Sequence, residues 1–269
     1  MENSIELELA RFAAFTVGDF IKSESYKNKN ISYKTSNTDL VTNIDKAAEK
    51  IIRKLILNTF PTHSILGEEE VSPGAEASAY ALKEKINNEH LWIIDPIDGT
   101  TNFIHSFPYF CVSIAYVEKK DIRLGVIYNP MTNEMFMAEK GKGATLNGEP
   151  IKVAEEIDLD KSLVSTAIPK SDLGIKLLLA IHSKVRGIRS PGAAALQLAY
   201  VAAGRLSAFW EKDLNAWDIA AGALILSEAG GCISDMNGNT YTLETRNILG
   251  TNSLSHTKML EIMEEFVYE

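Results

Sequence analysis

The chain has 269 residues, 45% of them hydrophobic, and a formal net charge of −9. That length and apolar content suffice for one large α/β domain or two closely packed halves, and the acidity, with no cluster of Lys and Arg, excludes a nucleic-acid surface. No apolar run reaches the roughly 18 residues of a membrane span, and the opening Met-Glu-Asn-Ser-Ile-Glu lacks the features of a signal peptide, so a cytoplasmic protein without membrane contact is expected.

Ile5, Leu9, Phe12, Thr16 and Phe20 recur at helical spacing and predict an amphipathic first helix that fades near Ser23 to Tyr26. The polar run Lys27 to Asp39 reads as a mobile loop whose lysines are either solvated surface or contacts to a phosphate. A second helix follows, capped by Thr42 or Asn43, with Ile44, Ala47, Ala48, Ile51, Ile52, Leu55 and Ile56 on its apolar face. Asp45 falls in its first turn, where the helix dipole alone accounts for an acid. Ser64 to Gly67 predicts a short strand delivering Glu68, Glu69 and Glu70, and Ser72 to Asn88 an exposed loop and helix.

Leu91 to Thr101 reads Leu-Trp-Ile-Ile-Asp-Pro-Ile-Asp-Gly-Thr-Thr and is the stretch around which the chain is organised. Its β-forming residues predict a buried strand that ends on Asp95, after which Pro96 and Gly99 turn the chain. Asp98 and the amides of Gly99 and Thr100 are thereby aimed beyond the strand end. Two carboxylates three residues apart suit a hard cation holding a phosphate, although Asp-x-x-Asp-Gly alone is also an ordinary acidic turn.

Four strands are predicted next, at Phe110 to Glu118, Ile122 to Asn129, Glu134 to Glu139 and, more weakly, Ala144 to Val153, the first two joined as an antiparallel meander. The second half alternates: strand Ser162 to Thr166, helix Leu173 to Ser183, a strand near Ile188, helix Ala193 to Ala203, strand Leu206 to Trp210, helix Asp218 to Glu228, strands near Cys232 and Ile248, and helix Thr257 to Val267. An α/β fold with helices on both sides of a sheet follows. No linker interrupts the chain, so 1–269 reads as one domain, with halves of roughly 1–155 and 156–269. Cys111 and Cys232 sit in apolar strand contexts and are expected to be buried free thiols.

Asp218 opens a helix rich in small residues and is simply explained as an N-terminal helix acid. Glu68, Asp95 and Asp218 nevertheless each mark a junction where a regular element ends or begins, as ligand-binding groups in α/β proteins do. Gathered with Asp98 in one cleft they would repel and raise one another's pKa unless cations were present, and Mg²⁺, an oxygen-seeking ion, fits them. The five histidines are scattered without zinc-ligand spacing.

The run Trp92-Ile93-Ile94-Asp95-Pro96-Ile97-Asp98-Gly99-Thr100-Thr101-Asn102-Phe103 resembles the first signature of the inositol monophosphatase family, and Trp217-Asp218-Ile219-Ala220-Ala221-Gly222 resembles the second. Leu66 to Glu69, Gly141 to Ala144, Gly187 to Ser190 and Glu228 to Gly231 extend the similarity over nearly the whole chain. The resemblance implies a layered αβαβα sandwich, commonly homodimeric, and Mg²⁺-dependent, lithium-sensitive hydrolysis of phosphate monoesters by metal-activated water. It also implies that Glu68, Asp95 and the Ile97 carbonyl hold one ion, that Asp95, Asp98 and Asp218 hold a second, and that Glu68 helps with a weak third. Thr100, hydrogen-bonded to Asp45, would orient the water, with Glu68 assisting.

For the substrate, the resemblance implies contacts from Asp98, Gly99, Thr100 and Asp218, with Gly192, Ala193, Ala194 and Glu211 around the alcohol portion. Ala193 stands where many relatives carry threonine, and Val71 to Glu89 is longer than in inositol-specific members, both of which bear on polyol selectivity. Inositol monophosphate is the first substrate expected. A broader phosphatase acting on the 2′-phosphate of NADP or on fructose 1,6-bisphosphate, and a partner-binding regulatory protein on the same fold, are the alternatives.

Overall fold

A computed structural model describes residues 3–26, 31–33 and 40–266. Helix α1 (Ile5–Glu24) starts on Ser4, whose hydroxyl accepts the Leu7 N–H at 3.2 Å. Strands β1 (Ile31–Tyr33) and β2 (Leu40–Thr42) pair antiparallel. The stretch read as loop therefore includes a strand at 31–33, where two β-formers flank Ser32; residues 27–30 and 34–39 lie outside the described residues. Helix α2 (Asn43–Thr59), strand β3 (Ser64–Gly67), a 3₁₀ turn at Glu68–Glu70 and α3 (Ala75–Lys85) lead into β4 (His90–Asp98).

A short helix α4 (Thr100–Ile104), which the sequence pattern does not predict, follows β4 directly. Then come β5 (Cys111–Glu118), β6 (Asp121–Asn129), β7 (Glu134–Glu139), β8 (Ala144–Leu146) and β9 (Glu149–Pro150). The weak strand expected over Ala144 to Val153 is two short strands, because Asn147 and Gly148, both at positive φ, turn the chain between them. The sheet runs in the order β3-β4-β5-β6-β7-β8-β9, antiparallel except for the β3–β4 pair.

The second half supplies β10 (Leu163–Thr166), α5 (Asp172–His182), β11 (Gly187–Arg189), α6 (Ala194–Ala202), β12 (Ala208–Glu211), α7 (Ala216–Glu228), β13 (Cys232–Asp235), β14 (Ile248–Thr251) and α8 (His256–Glu264). Its sheet is ordered β11-β10-β12-β14-β13, parallel among the first three strands.

Alternation along the strands assigns the layers. Trp92, Ile94, Val112, Ile114 and Val126 bury against Ala10, Ala14, Val17, Ile52 and Ile56 of α1 and α2. Leu91, Ile93, Ala115 and Ile127, on the opposite face, share a core with α6, α7 and with Phe209 and Ile248 of the second sheet. Val164, Ala208, Trp210 and Leu249 pack on α5 and α8. The result is the αβαβα sandwich, with α6 and α7 between two sheets. Those helices are buried nearly all round, so their small residues are a packing requirement: an added Cβ on Gly125 of β6 would lie 2.5 Å from the Ala221 carbonyl of α7. Each fully buried isoleucine of these layers contributes about 1.5–3 kcal/mol. Cys111 is buried as expected, whereas Cys232, on the edge strand β13, is only half-buried; both are free thiols.

Candidate active site

In a regular strand, residues three apart point to opposite faces. Asp95 pairs with Ser113 and Asp98 with Cys111, so β4 advances three residues where β5 advances two. The extra residue is a bulge at Pro96-Ile97, and the Asp95 carboxylate closes it by accepting the Ile97 N–H at 2.9 Å. Ile97 then faces α1 and α2, while Asp98 returns to the side of Asp95, toward α6 and α7. Proline, which donates no hydrogen bond, is well placed in such an irregularity.

Gly99 follows at φ 94°, a left-handed conformation that favours glycine, and caps α4. It is also hemmed in: an added Cβ would lie 3.2 Å from the Ala193 Cβ and 3.3 Å from the Gly192 carbonyl. The loop Gly192-Ala193 of the second half thus abuts the turn of the first. Asn102 fastens the two, its Nδ2 donating to the carbonyls of Tyr109 and Pro191 at 2.7 Å each.

Asp98 is held by the first turn of α6, where Ala194 and Ala195 donate backbone N–H groups to its two oxygens at 3.2 and 2.7 Å. The Ala194 amide, expected at the substrate, is therefore engaged by a carboxylate. Asp218 is the third residue of α7 and completes a capping box with Asn215, accepting the Asn215 N–H at 2.7 Å. The simple explanation of Asp218 and the functional one hold together, because the same carboxylate reaches Asp95 and Asp98: oxygens of all three lie within 4.8 Å of one another. Glu68, on its 3₁₀ turn, is outside that group of three but close enough for its charge to act on Asp95.

Removal from water, and then the charges of Glu68, Asp98 and Asp218, pushes the Asp95 carboxyl well above the usual carboxylate range. Asp218 is raised in the same way, by burial first and then by Asp98 and Glu68. Burial pushes Asp98 up to about 7 against the opposing pull of the Ala195 and Ala194 amides. Acids whose charged forms are disfavoured by burial and then by one another form a set that a hard divalent cation would relieve, and their donors are all oxygen.

The Thr100 hydroxyl has two acceptors, the Ile97 carbonyl at 3.1 Å and the buried Asp45 carboxylate at 3.3 Å. Glu211 ends β12 in the second sheet, and burial followed by the Asp98 charge pushes it up to about 8. It borders a cavity of about 360 Å³ that Thr166 to Ser171, Trp210 and Lys212 also line. That cavity lies at the carboxyl ends of β10 and β12, where the strand order reverses, since the chain runs from β10 to β11 on one side and then crosses back to β12 on the other, the usual position for ligands in α/β sheets.

The sequence pattern overlooks Glu49, Asn102 and Cys111. Glu49 is buried and accepts the Glu69 N–H at 2.7 Å, and Cys111 sits 3.6 Å from Asp98 on the paired strand. An acid one helical turn after Asp45, on an otherwise apolar face, is the signal that would have found Glu49.

The sequence profile of the inositol monophosphatase family matches residues 4–268. Inositol monophosphatase 3 of Solanum lycopersicum is 38% identical over 266 residues, 96% of either chain. The fructose-1,6-bisphosphatase/inositol-1-monophosphatase of Thermotoga maritima is 40% identical over 240 residues, covering 89% of this chain and 88% of the relative. Among solved structures, the extragenic suppressor protein suhB from Bartonella henselae superposes with a TM-score of 0.89 at 34% identity, covering 98% of this chain and 100% of that one. Sequence signatures, layered fold and these matches agree, and the chain belongs to the inositol monophosphatase family of phosphoric monoester hydrolases.

Proposed function

We propose that the chain is a Mg²⁺-dependent phosphomonoesterase that hydrolyses inositol monophosphate to inositol and phosphate. The observation that carries the reading is the convergence of Asp95, Asp98 and Asp218 from both halves of the chain, beside a threonine hydroxyl bonded to a buried acid. Glu68, Asp95, the Ile97 carbonyl, Asp98 and Asp218 would hold two ions, with Glu68 helping a weaker third. Bound there, Mg²⁺ supplies positive charge for the phosphoryl oxygens and lowers the pKa of a water molecule.

The remaining work falls to the chain's own residues. The Thr100 hydroxyl gives its proton to Asp45 or the Ile97 carbonyl, so its oxygen is left to accept a hydrogen bond from the attacking water and orient it. Asp45 holds that arrangement, and Glu68 supports it from the opposite turn. Amides of Gly99 and Thr100 would bind phosphoryl oxygens. Gly192, Ala193, Ala194 and Glu211 would surround the alcohol, and Asp218 and Asp98 complete its contacts. By resemblance the enzyme is a lithium-sensitive homodimer.

A broader phosphatase is the second reading, favoured by the missing hydroxyl at Ala193 and the cavity beside Glu211, and in keeping with the double name of the Thermotoga maritima relative. Rates on inositol 1-phosphate, NADP and fructose 1,6-bisphosphate separate the two. Asp95→Asn is expected to abolish turnover on all three with the fold intact; retention of more than about a tenth of wild-type kcat at saturating Mg²⁺ would remove Asp95 from the centre of the mechanism.

A further inference from the structure

The turn that presents Glu68 is gripped from both sides. Beneath it, Glu49 of α2, only 4% exposed, accepts the Glu69 N–H through Oε2 at 2.7 Å. Gly67 leaves the space for this carboxylate, since an added Cβ there would lie 2.5 Å from it. Arg53, one turn further along α2, sits 3.6 Å from Glu49 Oε1 and reaches Glu70 at 2.8 Å. From the other side Lys85 of α3 pairs with Glu70 and donates to the Ile65 carbonyl at 2.6 Å. The two residues that follow Glu68 are thus anchored, Glu69 through its backbone and Glu70 through its side chain.

A carboxylate is costly to bury, and an apolar side chain would serve α2 better if packing were the only demand at position 49. What the carboxylate adds is a fixed, directional hold on the amide next to Glu68. The same helix carries Asp45 to Thr100 one turn earlier, so α2 sets two features of the site at once.

We propose that Glu49, braced by Arg53, is a positioning residue that fixes the Glu68 turn for Mg²⁺ binding, an inference resting on the reading of Glu68 as a metal-holding acid. It touches neither substrate nor ion, so its removal should weaken Mg²⁺ affinity while leaving kcat at saturating Mg²⁺ largely intact. Partners that orient ligating side chains are typically worth about 10–100-fold in affinity.

The test is calorimetric titration of the full chain with Mg²⁺ alone, alongside melting temperatures. Glu49→Ala is expected to raise the Kd for Mg²⁺ by about tenfold or more, and Glu49→Gln, which keeps an oxygen for the Glu69 N–H, by no more than about threefold. Ile52→Ala, a buried change on the same helix, is expected to lower the melting temperature without moving the Kd. Should Glu49→Ala not fold, Glu49→Asp, with its carboxylate drawn back by one methylene, must show the weakened binding. Unchanged affinity in the Ala or Asp variant, or an equal loss in Ile52→Ala, overturns the proposal. Glu68→Gln distinguishes the two levels: if it weakens Mg²⁺ binding while Glu49→Ala does not, the positioning role alone falls, and if it binds Mg²⁺ as wild type does, the carboxylate reading falls with it.

Discussion

Asp98, at the end of β4, accepts the backbone N–H of Ala195 in the first turn of α6 at 2.7 Å. An acid of the first half is thereby held by a helix of the second, and the positive end of that helix favours the charged form that burial opposes. The two halves are joined at the site itself by a charge-assisted hydrogen bond.

Crowded acids make the metal-free protein's stability depend on pH. The folded chain keeps protons on Asp98 up to about pH 7 and on Glu211 up to about pH 8, whereas the unfolded chain releases them near the ordinary carboxylate range. Their contribution is full below that ordinary range and is lost as pH rises through 7 and 8. The melting temperature of the metal-free protein should therefore fall between about pH 4 and pH 8, and the increment from added Mg²⁺ should grow over the same interval. Glu211→Gln should match wild type only near about pH 4 and exceed it by a margin that widens up to about pH 8, because it has no charge to acquire. Differential scanning fluorimetry across that range decides the matter; a profile rising with pH contradicts it.

Thr100→Ala should lower kcat more than it raises KM. It leaves the acids in place and removes the oxygen proposed to orient water, an effect of about 10²–10⁴-fold. Thr100→Ser, which keeps the hydroxyl, should recover most of the loss. Steady-state kinetics on inositol 1-phosphate would show the opposite split, with kcat unchanged, if Thr100 only bound phosphate.

Asn102→Ala should loosen the contact between the halves. Two carbonyls, of Tyr109 and Pro191, lose their donor, and each such loss costs about 1–3 kcal/mol when the acceptor stays dry. KM should rise if the Gly192-Ala193 loop borders the alcohol as proposed, and hydrogen exchange should increase around residues 190–195. Exchange confined to α4 would mean that the loop is held by other contacts.

Glu211→Ala should separate substrates. If the carboxyl bonds a ring hydroxyl, inositol 1-phosphate should lose about 1.5–3 kcal/mol, or roughly 10–150-fold in kcat/KM. An aryl phosphate, lacking that hydroxyl, should change little. Equal losses on both would give Glu211 a part in shaping the site, and no loss on either would leave it without a role in binding.

The elements with strong periodicity were legible, as was the order of the site acids. The antiparallel meander follows its apolar spacing closely because local pattern and tertiary burial agree there. α1 was legible as a helix but its buried face was not: Ile5 and Phe12 of the expected stripe are exposed, and Leu7, Ala10, Ala14, Val17 and Ile21 face the core instead, a face whose alanines do not stand out as apolar in the sequence. Asp95, Asp98 and Asp218 were found because their residue types, positions at element ends and flanking signatures all pointed to one chemistry. Glu49 and Asn102 were not. Each acts through a backbone group distant in sequence, the Glu69 amide and the Pro191 carbonyl, and no local periodicity encodes such a partner. α4 escaped for a related reason: five residues after a left-handed glycine are too few to show a helical repeat.

The bulge at Pro96-Ile97 makes the site a matter of parity. Asp95 and Asp98 share a side of the sheet only because an odd number of steps on β4 is matched by an even number on β5. Were all four residues from Asp95 to Asp98 to pair regularly, without the bulge, one of the two carboxylates would turn into the apolar layer under α1 and α2. In this stretch the backbone irregularity is as much a part of the site as the identity of either acid.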